Sequence, residues 1–337
     1  MLMSSPYDAV LLVSFGGPER PDDVIPFLEN VAGGRDVPRQ RMLEAAARYE
    51  LFGGVSPINA ENRALLAALL GEVGVRGLTL PVYWGNRHWH PLLCDAVGQM
   101  AEDGVRRGLA FVTSAFSSYP GCRQYLEDIE RAREEVGPQA PRIDKLRPFY
   151  NHPGFIEAVV ERVRAALGQI PEQRRGAARL VYTAHSLPLR MARNCAYEEQ
   201  LGEACRLVCE RVGRADWELV YQSRSGRPSE PWLEPDVCDH LRELSRKSFG
   251  GDVVIVPIGF VCEHMETVYD LDVVARGVCE ELGWNMIRAG VVGCHPRFVE
   301  MVGELIEERL DPGAPRLALG RYGPLPDECP RDCCLPG

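Results

Sequence analysis

The sequence predicts an α/β protein whose parallel strands carry helices on both faces. Short apolar runs alternate along the chain with amphipathic stretches of helical period. The runs are apolar almost throughout rather than at every second residue, as in strands buried on both sides. Each is bounded by glycine, proline, serine or charge, and a helical segment separates most of them, as right-handed crossovers require.

The elements follow in order. Residues 9–15 read as the first strand, which leaves through the glycine turn Gly16-Gly17-Pro18. Helical patterns follow at 23–30 and 61–72, a strand at 79–84, a helix at 94–104 and a strand at 110–115. A helix at 153–167 precedes a polar loop at 169–176, and further strands are expected at 180–184, 218–222 and 253–260. A helix at 297–310 closes the series. The layout repeats: residues 183–188, Thr-Ala-His-Ser-Leu-Pro, leave a later strand much as residues 13–18 leave the first. Two lobes are therefore expected, meeting between about residues 150 and 170, in line with roughly 150 residues per domain. Ligands of open α/β sheets gather beyond the carboxyl ends of strands, so residues just after each strand are the first candidates.

Composition narrows the function. Of 337 residues, 45 % are hydrophobic and 26 % charged, which are ordinary globular values. The net charge of −10 gives no general attraction for nucleic acid or an anionic membrane surface. The uncharged apolar stretch 253–261 contains Pro257 and Gly259 and is far too short to span a bilayer. A short polar start, with no charged leader before residue 9, predicts a cytoplasmic protein. A reducing cytosol keeps most of the twelve cysteines as thiols. Two groups stand out: Cys329, Cys333 and Cys334 in the last nine residues, and Cys195, Cys205 and Cys209 within fifteen.

Two clusters carry potential chemistry. His185 follows an apolar strand directly, and Glu263, Glu266 and Asp270 follow another. A helix starting near Cys262 would set Glu266 and Asp270 one turn apart on one face, with Glu263 next along it. An imidazole and a carboxylate at strand ends of one sheet suit a proton-acceptor pair. They equally suit ligands of a transiently held divalent cation. The chain lacks the HExxH, P-loop, GxSxG and GxGxxG motifs, which disfavours nucleotide and hydride chemistry.

The chain resembles the ferrochelatases, particularly the coproporphyrin ferrochelatases of Gram-positive and related bacteria. The resemblance runs from about Tyr7 to Leu310 and rests on six fragments in family order. They are LVSFGGP (12–18), FGGVSP (52–57), YWGNRHWHP (83–91), TAHSLP (183–188), QSRSG with PWL (222–233) and GFVCEHMETVYD (259–270). It implies two similar Rossmann-like lobes, each a four-stranded parallel sheet flanked by helices, with a porphyrin cleft between them. The expected bounds are 1–160, 161–310 and a cysteine-rich tail at 311–337. It also implies that His185 and Glu266 form the catalytic pair and meet the Fe²⁺ substrate, with a neutral imidazole taking pyrrole protons. Phe15, Arg48, Tyr49, Ser56, Arg87 and Tyr125 would bind the porphyrin. Arg48, Tyr49, Ser56 and Tyr125 fall at the propionate-holding positions, which favours coproporphyrin III over protoporphyrin IX. Phe15 replaces a tyrosine found in other members, so no axial ligand is expected from that side.

Some members carry a [2Fe–2S] cluster on three late cysteines and one internal cysteine. That resemblance assigns Cys122, Cys329, Cys333 and Cys334 as its ligands, with Cys195, Cys205 and Cys209 as the rival set. A cobalt or nickel chelatase acting on a more reduced tetrapyrrole, and a non-catalytic haem or iron carrier, are the competing expectations. The family also implies a monomer.

Overall fold

The computed structural model describes residues 6–225, 229–330 and 332–337. The polar start of the chain and Gly226 of the 222–233 fragment lie outside the described residues.

Two four-stranded parallel sheets form the frame. The first contains β1 (Ala9–Ser14), β2 (Val82–Asn86), β3 (Arg107–Val112) and β4 (Arg142–Lys145) in the order β2-β1-β3-β4. The second contains β5 (Arg179–His185), β6 (Glu218–Gln222), β7 (Asp252–Val256) and β8 (Asn285–Arg288) in the order β6-β5-β7-β8. The expected pair of similar lobes is thus present.

The near-continuous apolar strands are explained by cover on both faces. In β1, Val10 and Leu12 enter a core shared by the two lobes, whereas Ala9, Leu11 and Val13 enter an outer core under helices Leu93–Glu102 and Gln124–Val136. In the second sheet, Leu180, Tyr182, Val254 and Val256 face the shared core, and Val181, Val253 and Ile255 face a separate outer core with Val237, Leu241 and Val278. At the junction, the rings of Phe111, Phe149, Phe155 and Phe298 meet with centroids 5.4–6.4 Å apart. Such contacts add to the burial term that dominates folding.

The chain leaves the first sheet at Lys145, and helix Pro153–Gly168 packs between helices Tyr197–Val212 and Pro296–Leu310. The crossing is therefore residues 146–152, and a boundary at 160 falls inside this helix. The crossing is pinned electrostatically. Arg147, with a side chain 1 % exposed, grips Glu308 with two bonds of 2.7 Å and also donates to the Leu317 carbonyl. Asn151 extends the fastening by donating to the carbonyls of Leu319 and Gly323. The tail thus runs along the seam between the lobes.

Candidate active site

Both lobes point their strand ends into one cleft of about 1320 Å³. On the first lobe, β1 ends in Ser14, and Gly16 turns the chain at φ +83°. A Cβ there would sit 2.8 Å from the Asn86 side chain and 3.1 Å from the Trp89 nitrogen. Only glycine accepts both the conformation and the approach. The turn presents Phe15, whose carbonyl accepts from the His88 N–H.

On the second lobe, β5 ends at His185. Gly259 lets the following loop press onto this strand: a Cβ there would stand 2.7 Å from Ala184. The acidic helix then begins at Met265 rather than near Cys262, because His264 caps it. Its Nδ1 accepts from the Glu266 N–H, while its own N–H donates to the Thr267 hydroxyl. This corrects the expected face. Glu263 lies before the helix and pairs with Arg288, and Asp270 starts a wider π-helical turn, Asp270–Ala275.

His185 Nε2 stands 3.3 Å from Glu266 Oε1, and both side chains remain partly open to the cleft, at 30 % and 43 % exposure. His185 Nδ1 lies 2.5 Å from the Ser186 carbonyl oxygen. A carbonyl only accepts, so Nδ1 carries hydrogen and Nε2 faces the carboxylate. Tyr197 donates to the His185 carbonyl at 3.1 Å, and Gln222 donates to that of Glu266 at 2.6 Å.

Burial in the cleft would lower the His185 pKa, but Glu266 beside it reverses the sign and raises it to about 9. Burial would likewise raise Glu266, yet His185 holds it at about 2. The resting pair is therefore an imidazolium–carboxylate pair at neutral pH, not the neutral imidazole expected from sequence. A raised histidine pKa contributes stability fully below the usual 6.5, and that contribution is lost as pH rises through about 9. The depressed Glu266 contributes above the usual 4.5 and loses its share as pH falls through about 2. In Glu266→Gln burial is opposed only by the Ser186 carbonyl and Asp270, so the His185 midpoint should fall from about 9, as read from its Cε1–H shift. An unchanged midpoint would dissolve the pair. Next to it, Asp270 is pushed up to about 6 by burial, and it accepts from the Ser223 hydroxyl at 2.5 Å.

Phe15, Tyr49, Ser56, Arg87 and Tyr125 all line the cleft, as do Leu187, Pro188 and Trp232. Two assigned residues behave differently from expectation. Arg48 is exposed and stands outside the cleft wall, its guanidinium 5.1 Å from the centre of the Tyr269 ring. Arg87, 3 % exposed, is committed to Asp128 and stacks 4.6 Å from the centre of the Tyr125 ring. Sequence reading missed His88, whose ring lies 4.5 Å from that of Phe15 and whose pKa burial lowers to about 4. Its neighbour Arg87 drew attention as the charged member of the same fragment.

A second hollow, of about 330 Å³, is lined by Cys122, Cys329, Cys333 and Cys334. Cys122 sits in the turn Tyr119–Arg123, capped by Ser118. Cys334 adopts φ +55°, and its sulfur lies 3.4 Å from that of Cys333. This left-handed residue is what lets adjacent side chains reach the same hollow. A hydrogen bond from Cys329 lowers the Cys122 thiol to about 6 against the effect of burial, and Lys145 assists. Cys205 and Cys209 instead lie buried in helix Tyr197–Val212, where Cys209 meets the Tyr182 hydroxyl at 3.1 Å. Among the described residues no three histidine, cysteine, aspartate or glutamate side chains are grouped to hold a single metal ion. Nor is any helix among them long and apolar enough to cross a membrane.

The fold is that of a chelatase. It is similar to the cobalt-bound sirohydrochlorin chelatase SirB of Bacillus subtilis subspecies spizizenii, with a TM-score of 0.54 and 13 % identity. That match covers 90 % of this chain and 94 % of the other. The sequence pattern of the ferrochelatase family matches residues 7–310. A ferrochelatase of Rhodopirellula baltica is 54 % identical over 98 % of this chain and 94 % of its own. A coproporphyrin III ferrochelatase of Frankia alni is 52 % identical over 98 % and 87 % respectively. The chain belongs to the ferrochelatase family. It is a lyase of haem biosynthesis that inserts ferrous iron into a porphyrin.

Proposed function

We propose that the porphyrin is coproporphyrin III and that His185 and Glu266 exchange its two pyrrole protons for Fe²⁺. The observation that carries this reading is the 3.3 Å contact of His185 with Glu266 at the wall of one deep cleft. Two protein groups, rather than a closed ligand sphere, leave positions for the pyrrole nitrogens around the iron. The exchange balances in charge, since one dication enters as two protons leave. Fe²⁺ at Glu266 competes with the imidazolium for the carboxylate, which removes the attraction that raises His185. The imidazolium then gives its Nε2 proton to solvent in the cleft, which leaves Nε2 free to take a pyrrole proton while the Ser186 carbonyl holds Nδ1–H. The second pyrrole proton follows by the same route once the first is released. Asp270, at the start of the π-helical turn that follows the acidic helix, serves as a relay for metal or protons. Relatives named for coproporphyrin III support the substrate, as do the donors Tyr49, Ser56 and Tyr125 in the cleft wall. Arg48 joins from the mouth, where solvent screening weakens its share of propionate binding.

The four-thiol hollow suits a [2Fe–2S] cluster held by Cys122, Cys329, Cys333 and Cys334. The donors are thiols, one already inclined to ionise, and the basic side chains Lys145 and Arg123 lie beside them. Such a cluster supplies one-electron redox chemistry. We further assign the protein to the cytoplasm, acting as a monomer.

The deciding assay mixes the anaerobic protein with Fe²⁺ and either coproporphyrin III or protoporphyrin IX. Many turnovers, faster with coproporphyrin III, are expected. A single stoichiometric conversion would favour a carrier, and preference for protoporphyrin IX would overturn the substrate. Two irons and two sulfides per chain are expected before substrate is added, and their absence would remove the cluster.

A further inference from the structure

We propose that residues 333–337 form a strap that couples the thiol hollow on the first lobe to the cleft wall beside His185 on the second. At one end, Cys333 and Cys334 line the hollow with Cys122, and Arg123 donates to the Cys333 carbonyl at 3.4 Å. At the other end, the main-chain oxygens of Pro336 and Gly337 both accept from Arg190 Nη1 at 2.8 Å. Gly337 also lies directly on the Arg190 backbone, since a Cβ there would sit 2.9 Å from the Arg190 carbonyl oxygen.

Arg190 belongs to the short helix Leu189–Ala192, which follows His185 through Ser186, Leu187 and Pro188. Its Nε donates to Glu230 at 2.9 Å, and Arg190, Met191 and Glu230 all line the cleft. Cys195 fastens the same helix from behind by donating to the carbonyls of Met191 and Ala192. Five residues reach at most about 17 Å and are held by contacts at both ends, so a shift at one end is passed to the other. Whatever orders the Cys333–Cys334 turn therefore also sets Arg190 and Glu230, and porphyrin in the cleft acts back on the hollow by the same factor. The coupling is a property of the chain, and only its physiological trigger rests on the cofactor reading above.

The test measures binding of iron-free coproporphyrin III by fluorescence quenching, which needs no turnover. Four proteins are compared: the parent, Cys333→Ser, Arg190→Gln and the double variant. Each single change should weaken binding about fivefold or more, and the double should be no weaker than the weaker-binding single. Parent-like binding by Arg190→Gln overturns the strap. So do effects that multiply, which would make Arg190 an independent contact to porphyrin. If Cys333→Ser fails to fold, as judged by circular dichroism, removal of residues 335–337 takes its place in the cycle. Iron and sulfide counted on the same samples judge the cofactor reading separately: a cluster-free parent sinks that reading, while the cycle still decides the strap.

Discussion

His185→Ala is expected to lower kcat by about 10²–10⁴-fold, the range for loss of a positioned proton acceptor, while porphyrin binding is retained. The fold around the residue should survive, because Tyr197 donates to the His185 main-chain carbonyl and the adjacent Ser186 hydroxyl donates to that of Leu233, neither depending on the ring. Anaerobic turnover and fluorescence quenching separate the two readouts. Parent-like kcat would remove His185 from the chemistry. Glu266→Gln should fall in the same direction, since it removes the carboxylate 3.3 Å from His185 Nε2.

The largest expected loss of stability lies away from the cleft. Arg147→Ala should cost about 3–5 kcal/mol, the usual consequence of leaving a buried charge without its partner. The stranded group is Glu308, 2 % exposed and bonded twice by the arginine. Urea unfolding measures the loss directly. Replacing both residues with methionine should recover most of it, because two apolar side chains leave no charge unpaired. A small loss in the single variant would show that water or another cation reaches Glu308. The change should also loosen the tail, whose Leu317 carbonyl shares the same guanidinium.

Much of the frame was legible because it is written in local pattern. The strand at 218–222 agrees with β6, and those at 9–15 and 180–184 differ from β1 and β5 by one residue at an end or at each end. Two of the four edge strands were not foreseen. β4 reads Arg-Ile-Asp-Lys and β8 reads Asn-Met-Ile-Arg, four residues each, too short and too polar for an apolar run. Sheet-edge position makes that possible, since only one side is paired. Distant pairing was illegible for a different reason. Nothing local in residue 147 announces Glu308, 161 positions away, and nothing in Arg190 announces the end of the tail. The site residues were named through resemblance, but their electrostatic state was not, because a pKa depends on burial and neighbours together. His185 alone would read as a neutral base.

The repeated strand order has one more consequence. A rotation that lays β1 on β5 lays β2 on β6, so the last paired residues correspond: Ser14 opposite Asn86, and His185 opposite Gln222. Both partner strands end in a buried amide that ties down a carbonyl, of His90 in one half and of Glu266 in the other. The halves thus share one strand order and register and differ in what stands at two corresponding corners. One corner offers a hydroxyl followed by the Phe15 ring; the other offers an imidazole joined to a carboxylate. On the proposed reading, a flat ligand lying between them would meet the Phe15 ring on one side and the ionisable pair on the other, with metal and protons exchanged at the second.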